Sequence, residues 1–83
     1  METQQKDIVG KLLIQHLKSL GVEVDEIPYV IRDIDHSFIK NPSMDLIQIN
    51  ECLISLGWKD LSLDYRTYEL AKEHFESNNT VKL

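Results

Sequence analysis

An apolar stripe in residues 27–38 is the feature that most constrains the fold of this chain. Large apolar side chains recur there at steps of three, four, seven and eleven positions from the first; they are Ile27, Val30, Ile31, Ile34 and Phe38. This is the period of an α-helix that turns one face toward a core. Pro28 falls in the first turn, where its missing N–H costs little, and Asp25 is expected to cap the helix. The pattern predicts a helix that ends near Lys40, before the turn signal Asn41-Pro42.

The same period predicts three further helices. Their expected ranges are 5–20, 43–56 (beginning at residue 43 or just after it) and 65–76. The terminal residues 1–4 and 77–83 are polar, and we expect them to fray. A chain of 83 residues has room for one core only. The sequence therefore predicts a single all-α domain over residues 1–83, a compact bundle of about four helices arranged as two helical hairpins.

A helix-stop sequence occurs twice. Ser19-Leu20-Gly21 ends the first predicted helix, and Ser55-Leu56-Gly57 ends the third, 36 residues later. An extended piece follows in each case, and then an expected aspartate cap, Asp25 or Asp64. Shared helix-stop chemistry explains the repeat, because a glycine just past the last turn adopts left-handed backbone without strain. Two related hairpins about a pseudo-twofold axis are the alternative.

The apolar arcs of the first and third helices are wider than the surface of a small bundle requires. A surface helix needs only a stripe, so a wider arc indicates a central helix or one that also contacts a partner. Three polar side chains fall on apolar faces: His16, Asn50 and His74. Buried polar groups need hydrogen-bond partners. We expect these residues to bond across helices and fix their register; an interface between two copies of the chain, or a ligand site, is the alternative.

Charge and composition exclude several classes of function. The net charge is −5 and the basic residues are scattered, so we expect no nucleic-acid binding and no contact with an acidic membrane surface. No apolar run reaches the roughly 18 residues that a membrane span needs, and the polar N-terminus does not resemble a signal peptide. A single cysteine, Cys52, allows no internal disulfide. The expected compartment is the cytoplasm.

The sequence also lacks the motifs of common enzymes. It contains no G-x-S-x-G elbow, no P-loop and no G-x-G-x-x-G. Asp33 and His36 have the spacing of one half of a di-iron ligand pattern, but His36 points opposite the apolar stripe, toward solvent. No ligand spacing links His16, Cys52 and His74. We therefore predict no catalytic residue, no metal and no cofactor.

Five residues are candidates for contact with another protein. They are Tyr29, Arg32 and His36 on the outer face of the second helix, Trp58 in the last connector, and Tyr65 on the fourth helix. Tyrosine, tryptophan and arginine are enriched at interaction hot spots. The alternative is that Trp58 covers the end of the core and the tyrosines pack half-exposed. Together with the wide arcs, these residues predict a non-enzymatic interaction or oligomerisation module, whose partner is another protein or a second copy in a homodimer. The acidic charge also suits a basic partner.

One segment resembles a known family. Ser43-Met44-Asp45-Leu46-Ile47 is similar to the start of the second helix in acyl carrier proteins, where a serine that bears phosphopantetheine precedes Leu or Met. Pro42 stands where that family has an acidic residue, and a predicted helix precedes Ser43 where the family has a long loop. The resemblance implies an alternative function as an acyl-carrier-like domain, with Ser43 as the attachment site.

Overall fold

Four α-helices make up most of the computed structural model, which describes residues 2–80, and the side chains of residues 8–77. The helices are α1 (Glu2–Ser19), α2 (Ile27–Lys40), α3 (Leu46–Ser55) and α4 (Tyr65–Thr80), and a short 3-10 helix, Val24–Glu26, precedes α2. No strand occurs between residues 2 and 80. The predicted all-α bundle is therefore confirmed.

The two terminal helices are longer than the apolar pattern predicts. The first begins at Glu2 and the last continues to Thr80. The helices thus extend beyond the predicted ranges into residues 2–4 and 77–80, and the fraying of these ends stays a prediction. Residues 1 and 81–83 of that prediction lie outside the described residues. Apolar periodicity misses such ends because their side chains are polar and add no stripe.

The start of α3 is set by capping and lies later than predicted. The Gln48 backbone N–H donates to Asp45 Oδ1 at 2.9 Å, and the Asp45 N–H donates to Gln48 Oε1 at 3.0 Å. This reciprocal pair is a capping box, and the helix begins at the next residue, Leu46. Ser43 therefore lies in the turn before α3, not in its first turn. At the other end the helix closes at Ser55, one residue before the predicted end.

The predicted aspartate caps differ in outcome. Asp64 caps α4, since its Oδ1 accepts from the Thr67 N–H at 2.8 Å. Asp25 does not cap α2, which is a correction to the sequence prediction. The N–H groups of Glu26 and Ile27 instead donate to the Glu23 carbonyl at 2.9 and 3.1 Å. The backbone of the 3-10 turn thus satisfies donors that a cap would otherwise serve.

Helix α2 lies at the centre of the packing and contacts each of the other three helices. Its predicted stripe is confirmed: Ile27, Val30, Ile34 and Phe38 are buried, and Ile31 is half-buried. Around it, the buried apolar residues of the other segments include Leu13, Leu17, Ile49, Leu53, Leu63, Tyr68, Leu70, Ala71 and Phe75. The most extensive helix pair is α1 with α4, so neither predicted hairpin is a packing unit by itself.

Both helix-stop sequences adopt the same geometry. Gly21 and Gly57 have φ values of 99° and 109°, which only glycine adopts readily. Across each glycine the chain closes a Schellman motif: the Val22 N–H donates to the Leu17 carbonyl at 3.1 Å, and the Trp58 N–H donates to the Leu53 carbonyl at 2.9 Å. Shared helix-stop chemistry accounts for the repeated sequence.

Candidate functional site

Asn50 joins α3 to the connector that leads into α4. Its Oδ1 accepts from the Leu63 N–H at 2.8 Å, and its Nδ2 donates to the Leu63 carbonyl at 3.2 Å. The side-chain amide thereby satisfies both backbone groups of a residue that has no helix or strand to bond with. The connector is held against α3 at Leu63 as a result. Asn50, one of the three candidate polar residues, is thus a structural clamp between α3 and the connector.

A second tie fixes the start of α4 against the approach to α3. The buried Tyr68 hydroxyl donates to the Met44 carbonyl at 2.7 Å. The Tyr68 ring lies 6.2 Å from the ring of Phe38 and 6.0 Å from the exposed ring of Tyr65. Tyr65, a predicted contact residue, therefore extends the buried aromatic cluster outward at the N-terminus of α4.

His16 faces the first turn of α4. The ring is half-buried, and its Nδ1 lies 3.5 Å from Thr67 Oγ1, a fully buried hydroxyl. Thr67 in turn serves the Asp64 cap: its hydroxyl and its backbone N–H hydrogen-bond to the carboxylate and hold the pKa of Asp64 below its ordinary value. His16 thus belongs to the α1–α4 contact, where it lies beside capping groups.

His74 lies between three helices. Its Nδ1 is 4.0 Å from Asp35 Oδ1 on α2, and its Cδ2 would lie 3.9 Å from a Cβ built on Gly10 of α1. Burial raises the pKa of the Asp35 carboxyl, and the nearby His74 and His36 partly oppose the rise. The three polar candidates His16, Asn50 and His74 therefore occupy different interfaces, and each lies against a neighbouring segment of the chain.

The predicted contact residues on α2 and the last connector have local partners. The Arg32 guanidinium lies 5.2 Å from the centre of the Tyr29 ring, a cation–π contact on the outer face of α2. Trp58 is half-buried, and its Nε1 donates to Asp33 Oδ2 at 2.9 Å. The exposed His36 lines a groove of about 220 Å³ between α2 and α3. Trp58 thus pins the end of α3 to α2.

The exposed flank of α3 is the feature that residue-by-residue prediction missed. Ile47 and Ile54 are 69% and 51% exposed, although both belong to the predicted apolar arc. They lie seven positions apart, which places them on one side of the helix about 10 Å from each other, with the exposed Glu51 between them. Among the described residues, α2 is the one helix in extensive contact with α3. Ile47, Glu51 and Ile54 are called the α3 flank below. The sequence signal for this exposed surface was the width of the apolar arc of the third helix.

A pocket opens where α1 and α3 end. Its volume is about 470 Å³, and the residues that bear on its chemistry are Gly21, Glu26, Gly57, Trp58, Lys59 and Asp60. Both Schellman turns contribute to it, so the repeated stop sequences meet at one place. This loop pocket lies beyond the last turn of α3, at the end of the helix that Ile54 occupies.

Ser43, the attachment site that the resemblance to acyl carrier proteins implies, is exposed in the turn before α3. Its backbone N–H donates to Asn41 Oδ1 at 3.2 Å. This bond orders the turn and involves the main chain of Ser43.

No family model, curated protein or solved structure matches this chain. In the part of the chain that the structure describes, no helix has the length and apolar character needed to cross a membrane. Over the same residues, His, Cys, Asp and Glu side chains form no group of three or more that would hold a metal ion.

Proposed function

We propose that this protein is a non-enzymatic protein–protein interaction module and that the α3 flank is its contact surface. The observation that carries the proposal is the exposure of Ile47 and Ile54, 69% and 51%, on a helix that has extensive contact with α2 alone among the helices of the described chain. Fully burying an isoleucine side chain contributes about 1.5–3 kcal/mol. Covering these two partly exposed residues would therefore stabilise a complex by roughly 2–4 kcal/mol.

The flank is rigidly mounted, which favours binding. The capping box fixes the first turn of α3, the Schellman motif fixes its last turn, and Asn50 ties its side to Leu63. A surface that is already ordered loses little conformational entropy when a partner covers it. The polar candidates on the other helices support a structural rather than a catalytic assignment, since each contacts a neighbouring element.

A separate protein suits this surface better than a second copy of the chain. In an antiparallel pairing that sets Ile47 against Ile54 of a copy, Glu51 would also meet its own copy. We therefore expect a monomer at micromolar concentration, and sedimentation equilibrium would detect the homodimer if it forms.

Site-specific photo-crosslinking in the protein's own host tests the proposed surface. A photoreactive phenylalanine analogue replaces Ile54 in one variant and Ile39 in another; Ile39 is 60% exposed on α2 and serves as the matched control. We expect position 54, and not position 39, to capture one defined polypeptide, and Ile47→Asp to abolish the capture. Equal capture at both positions, or none at position 54, would refute the α3 flank as a contact surface.

A further inference from the structure

The chain segment that contains the α3 flank is acidic. Between residues 41 and 64 there are four acidic residues and one basic residue, so this segment holds three of the five net negative charges of the chain. The acidic residues are Asp45, Glu51, Asp60 and Asp64, and all four are exposed. The single base is Lys59. A partner that carries positive charge would complement this surface and be drawn to it.

The C-terminal end of α3 adds to this polarity. A helix C-terminus carries a partial negative charge of about half a unit. The last turn of α1 contains His16 and Lys18 and that of α2 contains Lys40, but the last turn of α3, like that of α4, has no basic residue. The negative end of α3 is therefore not compensated from within its own last turn.

The loop pocket lies at that same end and has an aromatic wall. Trp58 is one of its lining residues, with its indole N–H bonded to Asp33, and Glu26, Asp60 and Lys59 also line it. A cationic side chain of a partner would find carboxylates there together with an aromatic ring for a cation–π contact. The pocket volume of about 470 Å³ accommodates the end of a lysine or arginine side chain.

We infer that the segment of the partner that binds this protein is a basic amphipathic helix. This inference rests on the proposed function and specifies its partner. Apolar residues of the helix, spaced over two turns, cover Ile47 and Ile54, while its lysines or arginines face Glu51 and the loop pocket. A helix fits because the spacing of the two isoleucines matches a helical repeat, and helix packing on an apolar stripe is an established recognition mode.

Binding of designed peptides tests the chemistry of the partner directly. The probe is a synthetic 18-residue amphipathic helix with leucines at the core positions of two turns and lysines on both sides of the stripe. The matched peptide has glutamate at every lysine position. Trp58 is the only tryptophan of the chain, so its fluorescence reports on the loop pocket. We expect the lysine peptide to shift this fluorescence and to bind at least about tenfold more tightly than the glutamate peptide.

Two charge-reversal variants separate a local site from net charge. Glu51→Lys and Glu73→Lys change the net charge of the chain equally, but Glu73 is exposed on α4. We expect Glu51→Lys to weaken binding of the lysine peptide about tenfold and Glu73→Lys to weaken it less than about twofold at moderate salt. Ile54→Ser should weaken binding, and Ile39→Ser should not. Equal effects within each pair would refute the inference.

The two proposals fail in different ways. If crosslinking at position 54 captures a partner whose contacting segment is neutral or acidic, the α3 flank is a contact surface and the inference of a basic helix is wrong. If the lysine peptide binds with the expected variant pattern while position 54 captures nothing in the host, the chemistry of the surface holds and its proposed use in the cell does not.

Discussion

Replacing Asn50 with alanine tests the clamp that mounts the α3 flank. The substitution removes both hydrogen bonds to Leu63, at 2.8 and 3.2 Å. Leu63 is only 3% exposed, so water does not readily replace the lost partner. The variant therefore leaves a backbone donor and a backbone acceptor poorly satisfied where the connector crosses α3.

The expected cost follows from those two bonds. Each contributes about 0.5–1.5 kcal/mol net, and an unsatisfied buried group costs at the upper end of that range or more. The higher helix propensity of alanine offsets about 0.5 kcal/mol of this destabilisation. We expect Asn50→Ala to lower the free energy of unfolding by about 2 kcal/mol, a large part of the roughly 3–5 kcal/mol that a single small core provides.

Urea unfolding followed by far-ultraviolet circular dichroism measures this loss. The matched control is Glu51→Ala, the next residue on the same helix, whose side chain is exposed; its free energy of unfolding should change by less than about 0.5 kcal/mol. A loss below about 0.5 kcal/mol for Asn50→Ala as well would show that the Leu63 bonds do not hold the connector in solution.

Asn50→Asp refines the test because it keeps the shape of the side chain. One carboxylate oxygen still accepts from the Leu63 N–H, but the other is set against the Leu63 carbonyl and has no proton to donate. The variant should be about as destabilised as Asn50→Ala at pH 7. Below the pKa of the new carboxyl, its protonated form donates to that carbonyl again, so the deficit relative to wild type should shrink. A deficit that is constant with pH would contradict the hydrogen-bond assignment.

Three further predictions concern other parts of the molecule. The two aspartates with shifted pKa values should respond to pH with opposite signs. Burial raises the pKa of Asp35, so the wild type loses stability as pH rises through the carboxyl range. The free energy of unfolding of Asp35→Asn, measured in urea and taken relative to wild type, should therefore increase from about pH 3 to 6. Hydrogen bonds lower the pKa of Asp64, so the contribution of its carboxylate to stability is present above the ordinary carboxyl pKa and is lost as pH falls. Asp64→Asn keeps the cap, and its free energy of unfolding relative to wild type should therefore decrease as pH rises from about 2 to 5. Gly10→Ala should raise the free energy of unfolding by up to about 1 kcal/mol, since the added Cβ meets His74 at an ordinary 3.9 Å; a loss of stability would show that α1 lies closer to α4 there. Ser43, finally, should gain no mass when the protein is incubated with coenzyme A and a phosphopantetheinyl transferase, and a gain of about 340 Da at Ser43 (roughly one phosphopantetheine group, a phosphate-linked modification) would establish the acyl-carrier alternative instead.

The polar candidates of the sequence acquire distinct assignments once their partners are known. The sequence places Asn50, His16 and His74 on apolar faces, but the partner of Asn50 is thirteen residues away, and that of Trp58, Asp33, is twenty-five residues away. No local pattern encodes such pairs, because they depend on how the connector crosses α3 and how α3 packs on α2. The same limit applies to capping: Asp64 caps as its neighbours indicate, whereas Asp25 is displaced by a backbone turn.

The sequence alone determined the helices and the way they stop. These features depend only on residues that are close together in the sequence. They are the stripe from Ile27 to Phe38, the left-handed glycines Gly21 and Gly57, and the aspartate cap of α4. Tertiary packing decided which part of each wide apolar arc is covered. A period of 3.6 residues identifies an apolar helix face, but it does not identify the segment that covers that face. The exposure of Ile47 and Ile54 is therefore visible only in the tertiary structure, in which α2 is the one described helix in extensive contact with α3.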